Sequence, residues 1–312
     1  MLDLSQGLVD KPQMVLSDNI KGASLMAASM AAFIVNDTLM KLAYDFVSMY
    51  QAMLLRGLAA TAMIVVIAAW RRELKVSVPK RERGILALRV LGEVGSTTAF
   101  LTALLHMPLA NLTAIMQTMP LAVTLAAAVF LKEPLGWRRW SAIAVGFCGV
   151  LLIVRPGSEG FNSFSLLALV AVLFVVLRDI STRRLNAQIP SIFVSLLTSV
   201  AVTVLAAVMA PTMEWRPLSG HALALLGTAA VCVIFGYIFS VKAMRVGEIA
   251  FVAPFRYTIM IWAILLGIFV FNDYPSQWTL IGAAIIVGTG VYSFYRERKR
   301  RILAAKVAPR NP

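Results

Sequence analysis

Apolar runs of about 20 residues recur along the whole of this chain, broken by short polar or basic stretches. A helix needs about that length to cross the roughly 30 Å hydrocarbon core of a bilayer. In lipid the backbone polar groups must be satisfied within the segment, so such runs are helical. Ten runs are readable, at roughly 20–43, 47–70, 84–105, 110–131, 137–154, 163–184, 190–210, 220–243, 248–271 and 277–295. The pattern predicts an all-α integral membrane fold with ten transmembrane helices. The fifth run is the shortest. Composition agrees: 60% of residues are hydrophobic and only 14% are charged, where a soluble domain has about a quarter charged.

The basic residues give an orientation. Positive charge collects on cytoplasmic loops. With the N-terminus inside, segments 1–21, 71–83, 132–139, 178–184, 242–245 and 296–312 hold 23 of the 29 Lys and Arg residues. The outer connections hold only Arg155 and Arg216, and Lys41, Arg56, Arg89 and Arg256 lie within spans. Both termini are therefore expected in the cytoplasm of a bacterial cell, with the chain in its inner membrane. The net charge of +14 reads as a topology signal and contact with anionic lipid rather than as a nucleic-acid surface. Residues 1–19 contain Asp3, Asp10, Lys11 and Asp18 and no apolar core, so no cleavable signal peptide is expected.

Several chemistries find no support. Cys148 and Cys232 each sit in an apolar run and cannot build a disulfide framework or metal cluster. His106 and His221 fall at loop edges and read as interfacial residues. There is no Walker sequence, nucleophile elbow or HExxH. Gly288-Thr-Gly290 is too short and too deep in a span to be a dinucleotide loop. No pore loop suggests a channel. Neither a cofactor nor an enzymatic activity is expected.

The chain repeats itself. At an offset of about 140 residues, Thr102-Ala-Leu104 falls on Lys242-Ala-Met244, Ala110 on Ala250, and Glu133 on Asp273. With one extra residue, Gly149-Val150 falls on Gly290-Val291. At 142, the stretch NDTLMK (36–41) falls on RDISTR (178–183), matching Asp37 to Asp179 and Lys41 to Arg183. The units would be a cytoplasmic tail at 1–19, repeats at 20–157 and 158–296, and a basic tail at 297–312. Five spans is an odd number, so the two repeats enter the membrane inverted, a recurring plan of secondary transporters.

The stretch LTALLHMPLANLTAIMQTMPLAVTLAAAVFLKEPLGWRRWSAIAVGFCGVLLIVRPG (101–157) carries a family resemblance. Its weaker second copy is SVKAMRVGEIAFVAPFRYT with FNDYPSQWTLIGAAIIVGTGVY. Both resemble the drug/metabolite transporter superfamily, specifically the EamA-type ten-helix carriers. Glu133 and Asp273, each closing the fourth helix of a half, match the family pattern, as does the Gly-rich helix that follows. The resemblance implies a basket of helices 1–4 and 6–9 around a central cavity, with helices 5 and 10 to the side and alternating access between the repeats. Family members carry amino acids, vitamins such as riboflavin, S-adenosylmethionine or drugs.

Charged groups in the spans are the candidate site. One at the bilayer centre costs roughly 2.5–3.5 kcal/mol, so it pairs, snorkels or lines a wet cavity. Asp37–Lys41 and Arg89–Glu93 are spaced i, i+4 and can neutralise themselves. Arg56, midway along helix 2, needs Asp37, Glu93 or a substrate, and Arg256 beside Tyr257 is similarly unpaired. Gln117 and Thr118 precede Pro120, where a kink is expected; Pro254 is its counterpart. Phe33, Phe100, Tyr237, Phe255 and Trp262 can stack on a flat substrate, although a core or lipid-facing role is the commoner fate. Asn36, Arg56, Glu93, Gln117, Arg256 and Tyr257 are the substrate-contact candidates. Asp37, Lys41, Asp179 and Arg183 are the gate candidates.

The expected function is transport of a small organic metabolite, with a riboflavin-like vitamin first and amino acids or S-adenosylmethionine as alternatives. A coupling ion is open. An integral-membrane enzyme or accessory subunit is the competing class.

Overall fold

In a computed structural model the described residues are 10–70, 72, 78–132, 136–157, 162–186, 188–246 and 249–307. Glu133 lies outside them, as do residues 1–9 and most of the basic stretch 71–77. The helices are α1 (Asp10–Ala43), α2 (Met49–Trp70), α3 (Lys80–His106), α4 (Leu109–Met116), α5 (Met119–Phe130), α6 (Trp137–Val154), α7 (Phe164–Arg184), α8 (Ser191–Met209), α9 (Gly220–Val246), α10 (Ile249–Val252), α11 (Ile259–Phe271) and α12 (Gln277–Val307). Ten segments are long and apolar enough to cross a membrane. The fourth is made of α4 and α5, and the ninth contains α11.

The helices run further than the apolar runs at both ends of the chain. α1 starts at Asp10 and α12 continues to Val307. Hydropathy marks the length in contact with hydrocarbon. Intrahelical hydrogen bonding needs no hydrocarbon, so a helix can continue past it.

The packing pairs each half with the other. α1 packs on α9, α3 on α7, α2 on α8, α6 on α12 and α4 on α11. If the five spans of the first half are exchanged with the five of the second, this set of pairs maps onto itself. Glycines allow the closest approaches, as small residues do between membrane helices. A Cβ on Gly95 of α3 would meet the Phe174 ring of α7 at 2.5 Å, and one on Gly236 of α9 would meet the Phe33 ring of α1 at 2.8 Å. The two contacts are of one kind, each seating a ring on a glycine of the other half.

Both fourth helices break at matching places. α4 ends at Met116, and α5 begins after Thr118. In the second half a 3-10 stretch, Ala253–Thr258, precedes α11. The Thr118 hydroxyl donates to Ile115 O at 2.6 Å, and the Thr258 hydroxyl donates to Phe255 O at 2.7 Å. The prolines do not kink continuous helices. Pro120 and Pro254 sit in the first turns after the breaks, where a missing N–H has no partner to lose.

The apolar core is lopsided. Its main cluster draws on all ten spans, from Ile34, Met53, Leu104, Ile115 and Val150 through Val172, Ala206, Leu226, Met260 and Ile286. These residues gather toward the end of the bundle that carries connections 44–48, 106–108 and 272–276. At the other end the packing divides into three small groups: Met26 and Met30 with Ala243 and Val252; Leu86 with Ile189 and Val194; and Ala126 and Ala127 with Ile180.

Candidate functional site

Where the core divides, polar side chains face one another across the halves. In the first half Asn36 Nδ2 donates to Asp37 Oδ1 at 2.9 Å. At the equivalent place in the second half Arg178 Nε donates to Asp179 Oδ1 at 2.8 Å. Each of these pairs is joined by a charged group from a different helix. Arg56 of α2 donates to Asn36 Oδ1 at 3.4 Å and lies within electrostatic reach of Asp37. Glu93 of α3 lies 3.7 Å from Arg178 and 3.3 Å from Arg89.

Of the two i, i+4 pairs, only Arg89–Glu93 forms. Lys41 does not pair with Asp37. Its ammonium donates to Met107 O at 2.7 Å and sits 4.9 Å above the Phe271 ring. The carbonyls ending α3 lack helical partners and carry the negative end of the helix dipole, so a cation is favoured there. Asn272 takes the left-handed conformation that ends α11 (φ 54°), and the turn brings Asp273 within electrostatic reach of Lys41. Gln51, fully buried, adds a second tie at this end. Its Nε2 donates to Arg216 O at 2.7 Å, and Arg216 Nη1 donates to Asp45 O at 3.1 Å.

Gln117 is half-buried at the break between α4 and α5, with no side-chain hydrogen bond among the described residues. Tyr257 does not join the charged group. Its ring fills the space over Gly290 of α12 and meets Phe294 edge-on, beside a crevice of about 440 Å³ between α11 and α12. The cause is the 3-10 stretch, whose tighter turn rotates successive side chains differently from an α-helix. Arg256 is exposed and forms no hydrogen bond or ion pair among the described residues. Among those residues no cluster of three or more His, Cys, Asp or Glu could hold a metal ion.

Sequence reading did not single out Tyr44. It is 7% exposed, and its hydroxyl has no hydrogen-bond partner among the described residues. Both Arg56 and Asp37 lie within its electrostatic reach, and burial pushes the hydroxyl above its ordinary value, keeping it a donor. Tyr44 falls in the turn after the first span, where an aromatic reads as an interfacial anchor. Only the tertiary fold brings it to the charged group.

The sequence model of the EamA-like transporter family matches residues 20–155 and again residues 162–295. The chain belongs to this family. Among EamA relatives, an S-adenosylmethionine uptake transporter of Rickettsia conorii is 29% identical over 195 residues, 62% of this chain and 65% of the relative. The chain thus spans just under two thirds of that relative's length. A riboflavin transporter of Vibrio cholerae is 29% identical over 230 residues, covering 72% of this chain and 76% of the relative. A solved crystal structure of a protein shares the fold with a TM-score of 0.58 at 20% identity, covering 86% of this chain and 97% of that one.

Proposed function

We propose that the protein is a secondary transporter moving a small organic metabolite across the bacterial cytoplasmic membrane by alternating access. The observation that carries this is the lopsided core. One end of the bundle is closed by contacts from all ten spans, the other divides into three groups, and charged groups of both halves lie between. Under the orientation set by the basic segments, both termini are cytoplasmic and the closed end faces outward. The arrangement then corresponds to an inward-facing state, with residues 20–157 and 158–296 as inverted repeats that rock against each other.

In this reading Asn36, Arg56, Glu93 and Gln117 contact the substrate, and Arg256 supplies an unpaired cation near the inner opening. Lys41 with Asp273 holds the outer gate, and Asp179 with Arg183 belongs to the inner one. Both signs of charge line the path, which suits a zwitterionic or weakly charged molecule. The named relatives make S-adenosylmethionine and riboflavin the first probes, with amino acids next.

The test is uptake of labelled probes into liposomes containing the purified protein, with pH and sodium gradients imposed separately. Saturable, protein-dependent uptake of at least one probe is expected, and the effective gradient identifies the coupling ion. No uptake of any probe under any gradient contradicts the reading.

A further inference from the structure

The repeat separates residues that pack helices from residues that face the path. Packing requirements recur in both halves, as the seating of Phe174 on Gly95 and of Phe33 on Gly236 illustrates. Immediately after these glycines the halves differ. Ser96 follows Gly95, is 5% exposed, and donates to Glu93 O at 3.0 Å. Tyr237 follows Gly236 and is 64% exposed.

Tyr237 of α9 lies within electrostatic reach of Asp37 on α1, Arg56 on α2, Glu93 on α3 and Arg178 on α7. An exposed ring that sits near charges of four other helices faces the proposed path between the halves. Phe33 meets it edge-on, with centroids 5.2 Å apart and planes at 84°, a favoured aromatic geometry that limits its motion. Phe33 is itself held against Gly236, so the ring is braced at its own root.

We propose that Tyr237 is the platform on which a planar ring of the substrate stacks, and that it selects ligands bearing such a ring over those without one. The inference rests on the transporter reading above. The acidic and basic groups around Tyr237 would take the charged or hydrogen-bonding groups of the ligand, while the exposed ring takes its flat part. Ser96, the equivalent residue in the other half, has no π surface, so the cavity is asymmetric at this point.

Equilibrium binding of labelled S-adenosylmethionine and of riboflavin to the purified protein tests this, with methionine as the ring-less zwitterion. Tyr237→Phe and Tyr237→Trp keep binding of both ring-bearing probes within about twofold of the wild type. Tyr237→Leu weakens it roughly tenfold, the scale of one lost stacking contact, and the preference for S-adenosylmethionine over methionine shrinks by the same factor. Thermal unfolding of each variant in detergent is measured beside binding, so a Tyr237→Leu protein that melts with the wild type reports the lost ring rather than a damaged fold. Unchanged binding in Tyr237→Leu, equal weakening for methionine, or a wild type that prefers methionine overturns the inference. Binding that follows this order without any liposome flux would instead overturn the transporter reading alone.

Discussion

The hydroxyls of Thr61 and Thr203 lie 3.2 Å apart across the contact between α2 and α8, and the two residues are 142 positions apart in the chain. That offset is the one that superposes Asp37 on Asp179. Equivalent residues touch each other only near an axis that relates the halves. Under the proposed inverted repeat, the axis relating the halves passes through the α2–α8 contact. Motion of one half against the other about such an axis changes access to the charges without unpacking either half.

Arg56 is the cation of the first half's polar group, and its one hydrogen bond among the described residues, to Asn36, is long. A group so loosely held keeps hydrogen-bonding capacity for a ligand. Replacing it by Ala should lower liposome uptake at least about tenfold, as expected for one charge-assisted contact worth roughly 1.5–3 kcal/mol. Membrane insertion should persist, since removing a charge from a span eases insertion. Yield and elution of the purified variant, measured beside its flux, separate the two effects. Unchanged flux removes Arg56 from the path.

Lys41 ties α1 to the end of α3 at the closed face. Lys41→Met removes a charge-assisted hydrogen bond and should favour opening there. A cysteine introduced at Leu109, fully buried in the closed form, reports this through its labelling by a membrane-impermeant maleimide. Labelling from outside should accelerate by roughly tenfold, the population shift that about 1.4 kcal/mol allows. No acceleration would show that Lys41 does not hold the outer gate.

Gly92 and Gly288 make a contrast in packing. A Cβ at Gly92 would lie 2.7 Å from Arg178 N and 2.8 Å from Phe174 O, both backbone atoms that cannot turn aside. Gly92→Ala should destabilise the purified protein by about 1–3 kcal/mol, the usual cost of overpacking. Gly288→Ala meets nothing within 4 Å and should unfold at the wild-type temperature or slightly above it. Thermal unfolding in detergent measures both. Equal melting points would contradict the α3–α7 packing.

Glu93 lies within ion-pair range of Arg89 and Arg178 together. Its side chain is 27% exposed, so water screens the pairs and their contribution to stability is small. Glu93→Gln should therefore shift the melting temperature by only a few degrees, since about 1 kcal/mol corresponds to a few degrees in a chain of this size. Flux should fall much more, because both arginines are released into the path. A large loss of stability with normal flux would make Glu93 a structural residue.

Much of the fold was legible because hydrocarbon imposes a single length on every crossing helix. The ten spans follow from that constraint, and the offset between repeats follows from residues such as Gly149 and Asp37. The ends of α1 and α12 were not legible, since helices outlast the apolar stretch that hydropathy detects. At the site, Asn36, Arg56 and Glu93 stood out as polar groups in apolar runs; the structure sets Arg56 against Asn36 and Glu93 against Arg178. The Asp37–Lys41 pairing did not form, because i, i+4 spacing states only what one helix can do, and the Met107 carbonyl of another helix competed better than Asp37. Tyr257 turns its ring onto Gly290 because its run, read as one α-helix, contains a 3-10 stretch. The role of Tyr44 depends on the tertiary fold, which no local pattern reports.

Alternating access has a signature that neither a channel nor an enzyme shares: where return of the empty site limits the cycle, substrate on the far side lets the site return loaded and speeds uptake. The most direct test is uptake of labelled S-adenosylmethionine or riboflavin into liposomes preloaded with the same unlabelled compound. Preloading should accelerate initial uptake, and the rate should saturate with external concentration. Uptake that rises linearly with concentration and ignores preloading would contradict the account.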